Sequence, residues 1–104
     1  MYDVRFRVEL RCGASESSAE GRGHTIRFSE RGCEIVGEFP AVLDDSVELR
    51  VYVPDLGWPL RIDRARVWDR QGGTLQVEFQ GVAVSEIKRL HTVIQQLEAG
   101  YATV

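Results

Sequence analysis

The sequence predicts a mainly β protein: a six-stranded antiparallel β-barrel followed by one C-terminal α-helix. Apolar and polar residues alternate with period two over most of residues 2–80, as in strands with one buried face. The period becomes helical after Val84. Six short strands would leave exposed edges in an open sheet. We therefore expect them to close, or nearly close, into a barrel with the helix across one open end.

The first three strands are expected at residues 2–11, 24–29 and 33–39. On the first strand one apolar face is formed by Tyr2, Val4, Phe6, Val8 and Leu10. Small polar residues and glycines between the first two strands indicate a loop. In "TIRFSERGCEI", residues 25–35, apolar Ile26 and Phe28 lead into a tight turn that ends at Gly32. A glycine in such a turn is expected to supply a positive φ.

Three further strands follow, at residues 47–53, 59–70 and 74–80. The apolar positions of the long fifth strand change parity between Ile62 and Ala65. One extra residue in a strand produces this switch, so we predict a β-bulge near Asp63–Arg64.

The C-terminal helix is expected at about residues 85–99, with Ser85 as its N-cap and Gly100 as its stop signal. Its apolar residues form one stripe with 3-4-3 spacing: Ile87, Leu90, Ile94 and Leu97. Such a stripe packs on its own barrel, or it docks on a partner protein or on a second copy of the chain.

Length, charge and cysteine content narrow the function classes. The 104 residues suit one domain, residues 1–104, and the net charge of −3 argues against a dominant nucleic-acid-binding role. Residues 1–32 hold six arginines against five acidic residues, so an anion is most expected there. Cys12 and Cys33 lack metal-ligand spacing and are expected to be free thiols in a reducing cytoplasm.

Several other features are expected to be missing. No apolar stretch suits a signal peptide or a membrane span, which predicts a cytoplasmic protein without membrane insertion. His24 and His91 have no acidic or nucleophilic neighbours at catalytic or metal-binding spacing. We therefore expect no enzymatic activity, no metal site and no resident cofactor.

The order of three segments resembles PilZ domains, the bacterial receptor modules for cyclic di-GMP. These segments are "TIRFSERGCEI", "DDSVELRVYVP" and "RARVWDRQGGTLQVEF", and a C-terminal helix follows in both cases. The resemblance spans about residues 2–98. It implies a six-stranded barrel with a C-terminal helix and a place in bacterial second-messenger control of motility, biofilm or secretion.

The family holds its ligand partly through a D/N-x-S-x-x-G corner. Ser29 and Gly32 match this motif, but Arg27 stands where an aspartate or asparagine is expected. The resemblance therefore implies a ligand corner that has lost its acceptor for guanine N–H groups. The other interpretation from the residues is that Arg27 points outward and pairs with Glu9 or Glu34, while Ser29 and Gly32 only build the turn.

The second family motif is R-x-x-x-R before the first strand, whose arginines clamp phosphate and contact guanine. The best register places Arg5 at the second arginine and Met1 at the first. A literal match, from Arg7 to Arg11, lies inside the first strand. The ligand-binding residues that the resemblance implies are Arg5, Arg7, Arg27, Ser29 and Gly32.

Three functional hypotheses follow. The first is a PilZ-like adaptor with degenerate motifs and weak or no nucleotide binding, which acts on a protein partner through the helix stripe or as a homodimer. The second is a genuine cyclic di-GMP receptor with a non-standard arginine-rich site. The third is a single-stranded nucleic-acid binder, based on a fifth-strand row of Arg64, Arg66, Trp68 and Arg70. In the competing interpretation Trp68 packs against the helix or a loop.

Overall fold

The computed structural model describes residues 1–12, 19–40 and 45–100. The strands are β1 (Tyr2–Asp3), β2 (Arg7–Cys12), β3 (Ala19–Phe28), β4 (Gly32–Glu38), β5 (Ser46–Tyr52), β6 (Leu60–Gln71) and β7 (Thr74–Gly81), and the helix α1 is Val84–Glu98. All strand pairings are antiparallel. The order β3-β2-β5-β6-β7-β4 closes into a ring because β4 also pairs with β3, and β1 lies outside the ring on β3. The predicted six-stranded barrel with one helix is confirmed.

The second strand is longer than predicted. β3 begins at Ala19 rather than at residue 24, and its first residues pair with β2. The loop is therefore shorter than predicted, and the rest of it, residues 13–18, lies outside the described residues. Gly21 and Gly23 hid this part of the strand, because glycine carries no alternation signal. A Cβ at either position would lie within 2.5 Å of a β4 backbone oxygen, which is why the side chains are absent.

The first strand is interrupted between β1 and β2 by the side chain of Thr25. The Thr25 hydroxyl accepts a hydrogen bond from the Phe6 N–H at 2.9 Å and donates one to the Val4 carbonyl at 2.6 Å. The pairing with β3 shifts by one residue across this point, because Asp3 faces Arg27 whereas Arg7 faces His24. The alternation predicted for residues 2–11 is kept, because the even-numbered apolar residues from Tyr2 to Leu10 all pack on the core.

Four bulges interrupt the pairings of the described strands and help set which side chains face outward. The predicted bulge in β6 is confirmed, since Val47 faces Ala65 but Leu49 faces Ile62. Three others were not predicted: Ile26 is the extra residue of β3 opposite β4, Trp68 is that of β6 opposite β7, and Gln80 is that of β7 opposite β6. Ile26 therefore does not share a face with Phe28: Ile26 is 40% exposed, and Phe28 is fully buried.

The helix begins at Val84, one residue before the predicted start. Ala83 is the N-cap, and no side chain caps this end, so the assignment of Ser85 as N-cap is wrong. Gly100 ends the helix as predicted: it has a φ of 84°, and its N–H donates to the Leu97 carbonyl at 3.0 Å.

The core fills the barrel and extends to one side of the helix. Phe28 packs against Phe6 and Phe79, with ring centroids 5.7 and 5.9 Å away. The helix adds Leu90, Val93, Ile94 and Leu97 to this core. Across the described ranges, no helix combines the length and the apolar character that a membrane span needs.

Candidate binding surface

The corner between β3 and β4 is a turn closed by the Ser29 side chain. The Ser29 hydroxyl donates to the Gly32 carbonyl at 3.0 Å and accepts from the N–H groups of Gly32 and Arg31 at 3.2 and 3.3 Å. The Ser29 N–H also donates to the Gly32 carbonyl, at 2.9 Å. The hydroxyl is therefore fully engaged within its own turn.

Gly32 is required for a different reason than predicted. Its φ is not positive, whereas those of Gly37, Gly57, Gly72 and Gly100 are. A Cβ on Gly32 would lie 2.2 Å from the Val77 carbonyl oxygen of β7. Gly32 thus permits the close approach of two strands, and the expectation of a positive φ is wrong.

Arg27 lies on the outer face of the barrel beside β1. Its Nε is 3.7 Å from Asp3 Oδ1, and its side chain is 57% exposed. The expected partners are engaged elsewhere: Glu34 accepts a hydrogen bond from Gln76, and Glu9 accepts one from the Tyr52 hydroxyl. The outward orientation of Arg27 agrees with one of the two interpretations, but its partner is Asp3 rather than Glu9 or Glu34.

Arg5 and Arg7 meet at a second place on the outer wall. They line a hollow together with Tyr52, Val53 and Pro54. The Arg7 guanidinium lies 4.2 Å from the centroid of the Tyr52 ring, a cation–π contact. The hydrogen bond from the Tyr52 hydroxyl to Glu9 raises the pKa of Tyr52 above its usual value.

The predicted ligand residues therefore form two groups. Arg7 faces His24 on β3, and Arg27 lies three residues further along that strand, or about 10 Å at roughly 3.3 Å per residue. The hollow beside Arg5 and Arg7 includes none of Arg27, Ser29 and Gly32 among its lining residues. In the literal R-x-x-x-R match, Arg11 is held by Glu20 at 2.8 Å.

The predicted basic row on β6 is broken by the bulge at Trp68. Asp69 faces Gln76 next to this bulge, and Arg70 faces the buried Leu75. Trp68 is 49% exposed, which agrees with the exposed position that the nucleic-acid hypothesis gives it. An acidic residue thus follows Trp68 on this surface, which weakens the case for a nucleic-acid site.

The bulges also build a surface that the sequence did not predict. We call it the bulge patch and define it as Ile26, Glu34, Gln76, Trp68 and Asp69. Glu34 of β4 faces Gln76 of β7, and the two bulges flank this pair. Alternation already placed Trp68 on the outer face but put Ile26 on the same face as the buried Phe28, so it gave no signal for a surface that includes both.

A second missed cluster fixes the helix to the loop before β6. The buried Glu86 carboxylate accepts hydrogen bonds from the Arg61 N–H at 3.0 Å and from Arg89 Nη1 at 2.8 and 2.9 Å. Arg89 also donates to the carbonyls of Pro59 and Trp58, and its guanidinium lies 4.8 Å from the centroid of the Trp58 ring. The sequence feature that could have predicted this ion pair is the i, i+3 spacing of Glu86 and Arg89 on the helix.

The apolar helix stripe is placed mostly inside the molecule. Leu90, Ile94 and Leu97 are 4%, 9% and 5% exposed, and only Ile87 is open to solvent, at 38%. The 3-4-3 spacing predicted that Ile87 would be buried next to Leu90. In the structure Glu86 is buried there instead. Three of the four expected protein-interaction residues are therefore core residues of this fold, and the interaction role of the stripe stays a prediction.

The two cysteines are free thiols, as predicted. Complete burial raises the pKa of Cys33 to about 12, so its thiol stays protonated at neutral pH. Burial, and then a hydrogen bond to Asp45 at 3.3 Å, raise the pKa of Cys12. Within residues 1–12, 19–40 and 45–100, no three His, Cys, Asp or Glu side chains are grouped to hold a metal ion.

No family model and no curated protein sequence matches the chain. Among solved structures, the chain is similar to the PilZ domain of CeSA from a cellulose-synthesizing bacterium, with a TM-score of 0.72 and 19% sequence identity. The match covers 92% of this chain and 95% of that one. The chain therefore has a PilZ-like fold, as the order of its sequence segments predicted.

Proposed function

We propose that this protein is a PilZ-like signalling module of the cyclic di-GMP type that acts mainly through contacts with other proteins and binds the nucleotide weakly or not at all. The observation that best supports this proposal is the charge and position of Arg27. A cation held by Asp3 stands where PilZ domains place an aspartate or asparagine. A guanidinium has only donors, so it cannot accept the N–H groups of a guanine.

The turn next to Arg27 supports the same conclusion. The Ser29 hydroxyl makes three contacts within its own turn, which leaves it no lone pair or proton directed at a ligand. The corner thus keeps the residues that shape it and lacks the group that would accept hydrogen bonds from the nucleotide.

A second candidate function is a genuine cyclic di-GMP receptor with a non-standard site. One observation favours it: Arg5 and Arg7 share a hollow with the Tyr52 ring. Two guanidinium groups can bind phosphate in a bidentate manner, and an aromatic ring can stack on a base.

Titration calorimetry with cyclic di-GMP at low salt tests the proposal. We expect no measurable heat with the wild-type chain and an unchanged melting temperature. Micromolar or tighter binding that is lost in Arg5→Ala would establish the receptor function instead.

A restoring variant sharpens this test. Arg27→Asn returns an acceptor for guanine N–H groups to the corner, so we expect it to bind the nucleotide more tightly than the wild-type chain. Arg22→Asn is the matched control, because Arg22 is another exposed arginine on β3 that contacts a carboxylate, Glu9, at 3.5 Å. Equal heats for the two variants would mean that the lost acceptor is not what limits binding.

A further inference from the structure

Two of the bulges lie on either side of one row of the outer wall. Ile26 is the extra residue between the pairs Thr25–Ile35 and Arg27–Glu34. Trp68 is the extra residue between the pairs Val67–Val77 and Asp69–Gln76. Because Glu34 faces Gln76 across β4 and β7, both bulges flank one cross-strand pair. The wall thus carries a transverse row with a large exposed apolar side chain on each side.

The space along this row is acidic. A hollow there is lined by Ile26, Glu34, Asp69, Gln71, Thr74 and Gln76, a set with two carboxylates and no basic side chain. Arg27 is the cation next to Ile26 on this row, and its Nε lies 3.7 Å from Asp3 Oδ1. The hollow therefore favours a positively charged group over an anion such as a nucleotide phosphate.

The two apolar side chains make the row suitable for a protein partner. Ile26 and Trp68 are 40% and 49% exposed. Exposed tryptophans are enriched among the residues that dominate protein–protein binding, and an indole face also attracts Arg and Lys side chains. A partner segment that matches this surface has a basic residue opposite the carboxylates of Glu34 and Asp69, with an apolar residue on each side of it.

We propose that the bulge patch is a docking surface for a partner protein segment that presents an Arg or Lys between two apolar side chains. The cation lies between the carboxylates of Glu34 and Asp69, and the apolar neighbours pack on Ile26 and Trp68. This inference rests on the proposed function, because it names the surface through which the protein contacts are made. It also gives the adaptor a contact surface other than the helix stripe, most of which is buried.

Peptide titration followed by NMR tests the proposal on the intact, isotope-labelled chain. The probe is the capped hexapeptide Leu-Arg-Leu-Arg-Leu-Arg, and its counterpart with Glu in place of Arg is the control ligand. We expect the Arg peptide to shift the Trp68 indole N–H and the backbone amides of Ile26, Glu34 and Asp69. The Trp58 indole serves as an internal reference, since Trp58 is 69% exposed but lies in the loop held by Arg89. The Glu peptide is expected to bind at least about tenfold more weakly.

Matched variants locate the contact. Trp68→Ser and Glu34→Gln are each expected to weaken the Arg peptide by about tenfold, whereas Trp58→Ser leaves its affinity unchanged. Both tryptophans are exposed, so these substitutions leave the core intact, and an unchanged amide spectrum away from the site checks this.

Several outcomes would overturn the inference: no shifts at the patch, equal binding of both peptides, or shifts centred on Arg7 and Tyr52. A dimer that Trp68→Ser dissociates in sedimentation would identify a second copy, rather than a partner segment, as the occupant. Failure here is distinguishable from failure of the proposed function. Binding of cyclic di-GMP in calorimetry contradicts the adaptor role. If neither the peptide nor the nucleotide binds, only the docking role of the bulge patch is contradicted.

Discussion

Thr25 joins the N-terminal strand to β3 where the regular ladder fails. Its buried hydroxyl supplies both an acceptor for the Phe6 N–H and a donor for the Val4 carbonyl. A buried backbone group without a partner costs about as much as a lost hydrogen bond or more. One side chain therefore allows the pairing to shift by one residue without leaving an unsatisfied group.

The Thr25 hydroxyl gives the first stability prediction. Thr25→Val keeps the shape and removes the hydroxyl, so we expect the free energy of unfolding to fall by roughly 1–3 kcal/mol. Urea denaturation followed by circular dichroism measures it. Thr92→Val is the control, because the exposed Thr92 hydroxyl donates to the Lys88 carbonyl of its own helix, and its loss should change stability by less than about 0.5 kcal/mol. Equal effects of both variants would contradict the role assigned to Thr25.

Individual residues also mark the limit of sequence prediction. The β6 bulge was predictable because buried Ile62 and Ala65 differ in parity. The bulges at Ile26 and Trp68 were not, because an extra residue is defined by the partner strand as much as by its own sequence. The outward orientation of the arginines could be predicted from alternation. The pairing of Arg27 with Asp3 could not, because it depends on the register between β1 and β3, and the pattern of a single strand does not specify that register.

Among the elements, α1 is attached to the barrel by both apolar and ionic contacts. Leu90, Val93, Ile94 and Leu97 bury its apolar side, and Glu86 holds Arg61 and Arg89 near its first turn. The side chains of Glu86 and Arg89 are 10% and 16% exposed. Removing one partner of such a shielded pair leaves the other charge uncompensated.

The ion pair gives a prediction at the scale of the element. We expect Glu86→Ala to lower the free energy of unfolding by roughly 3 kcal/mol, because the Arg89 charge and the Arg61 N–H both lose their acceptor. Asp63→Ala breaks the exposed pair with Arg61 and should cost at most about 1 kcal/mol. Chemical denaturation compares the two variants. A loss for Glu86→Ala no larger than that for Asp63→Ala would mean that the cluster does not anchor the helix.

At the scale of the whole molecule, the helix and the barrel share one core. The four buried apolar residues of the helix belong to the same cluster as the strand residues. The sequence predicted this possibility from the apolar stripe but could not choose between the barrel and a partner. That choice depends on whether the barrel leaves apolar surface open at its end, which the strand pattern alone does not specify.

This shared core predicts that the protein unfolds in one step. Leu90→Ala should lower the free energy of unfolding by about 2–5 kcal/mol while the far-ultraviolet and tryptophan signals still change together. Ile87→Ala, on the same helix but 38% exposed, should cost far less. Sedimentation of both variants adds a second readout, since a dimer lost in Ile87→Ala alone would assign the exposed residue to a contact between copies. Separate transitions for helix and barrel would contradict the single core.

The closed ring of strands also constrains how binding at one place on the protein could affect another place. Every strand of the ring is hydrogen-bonded on both sides, so no strand can slide without breaking a neighbour's bonds. A tightly packed interior likewise resists gradual deformation. We therefore expect two binders on this outer wall to affect each other by competition or by shared contacts rather than by a change of shape.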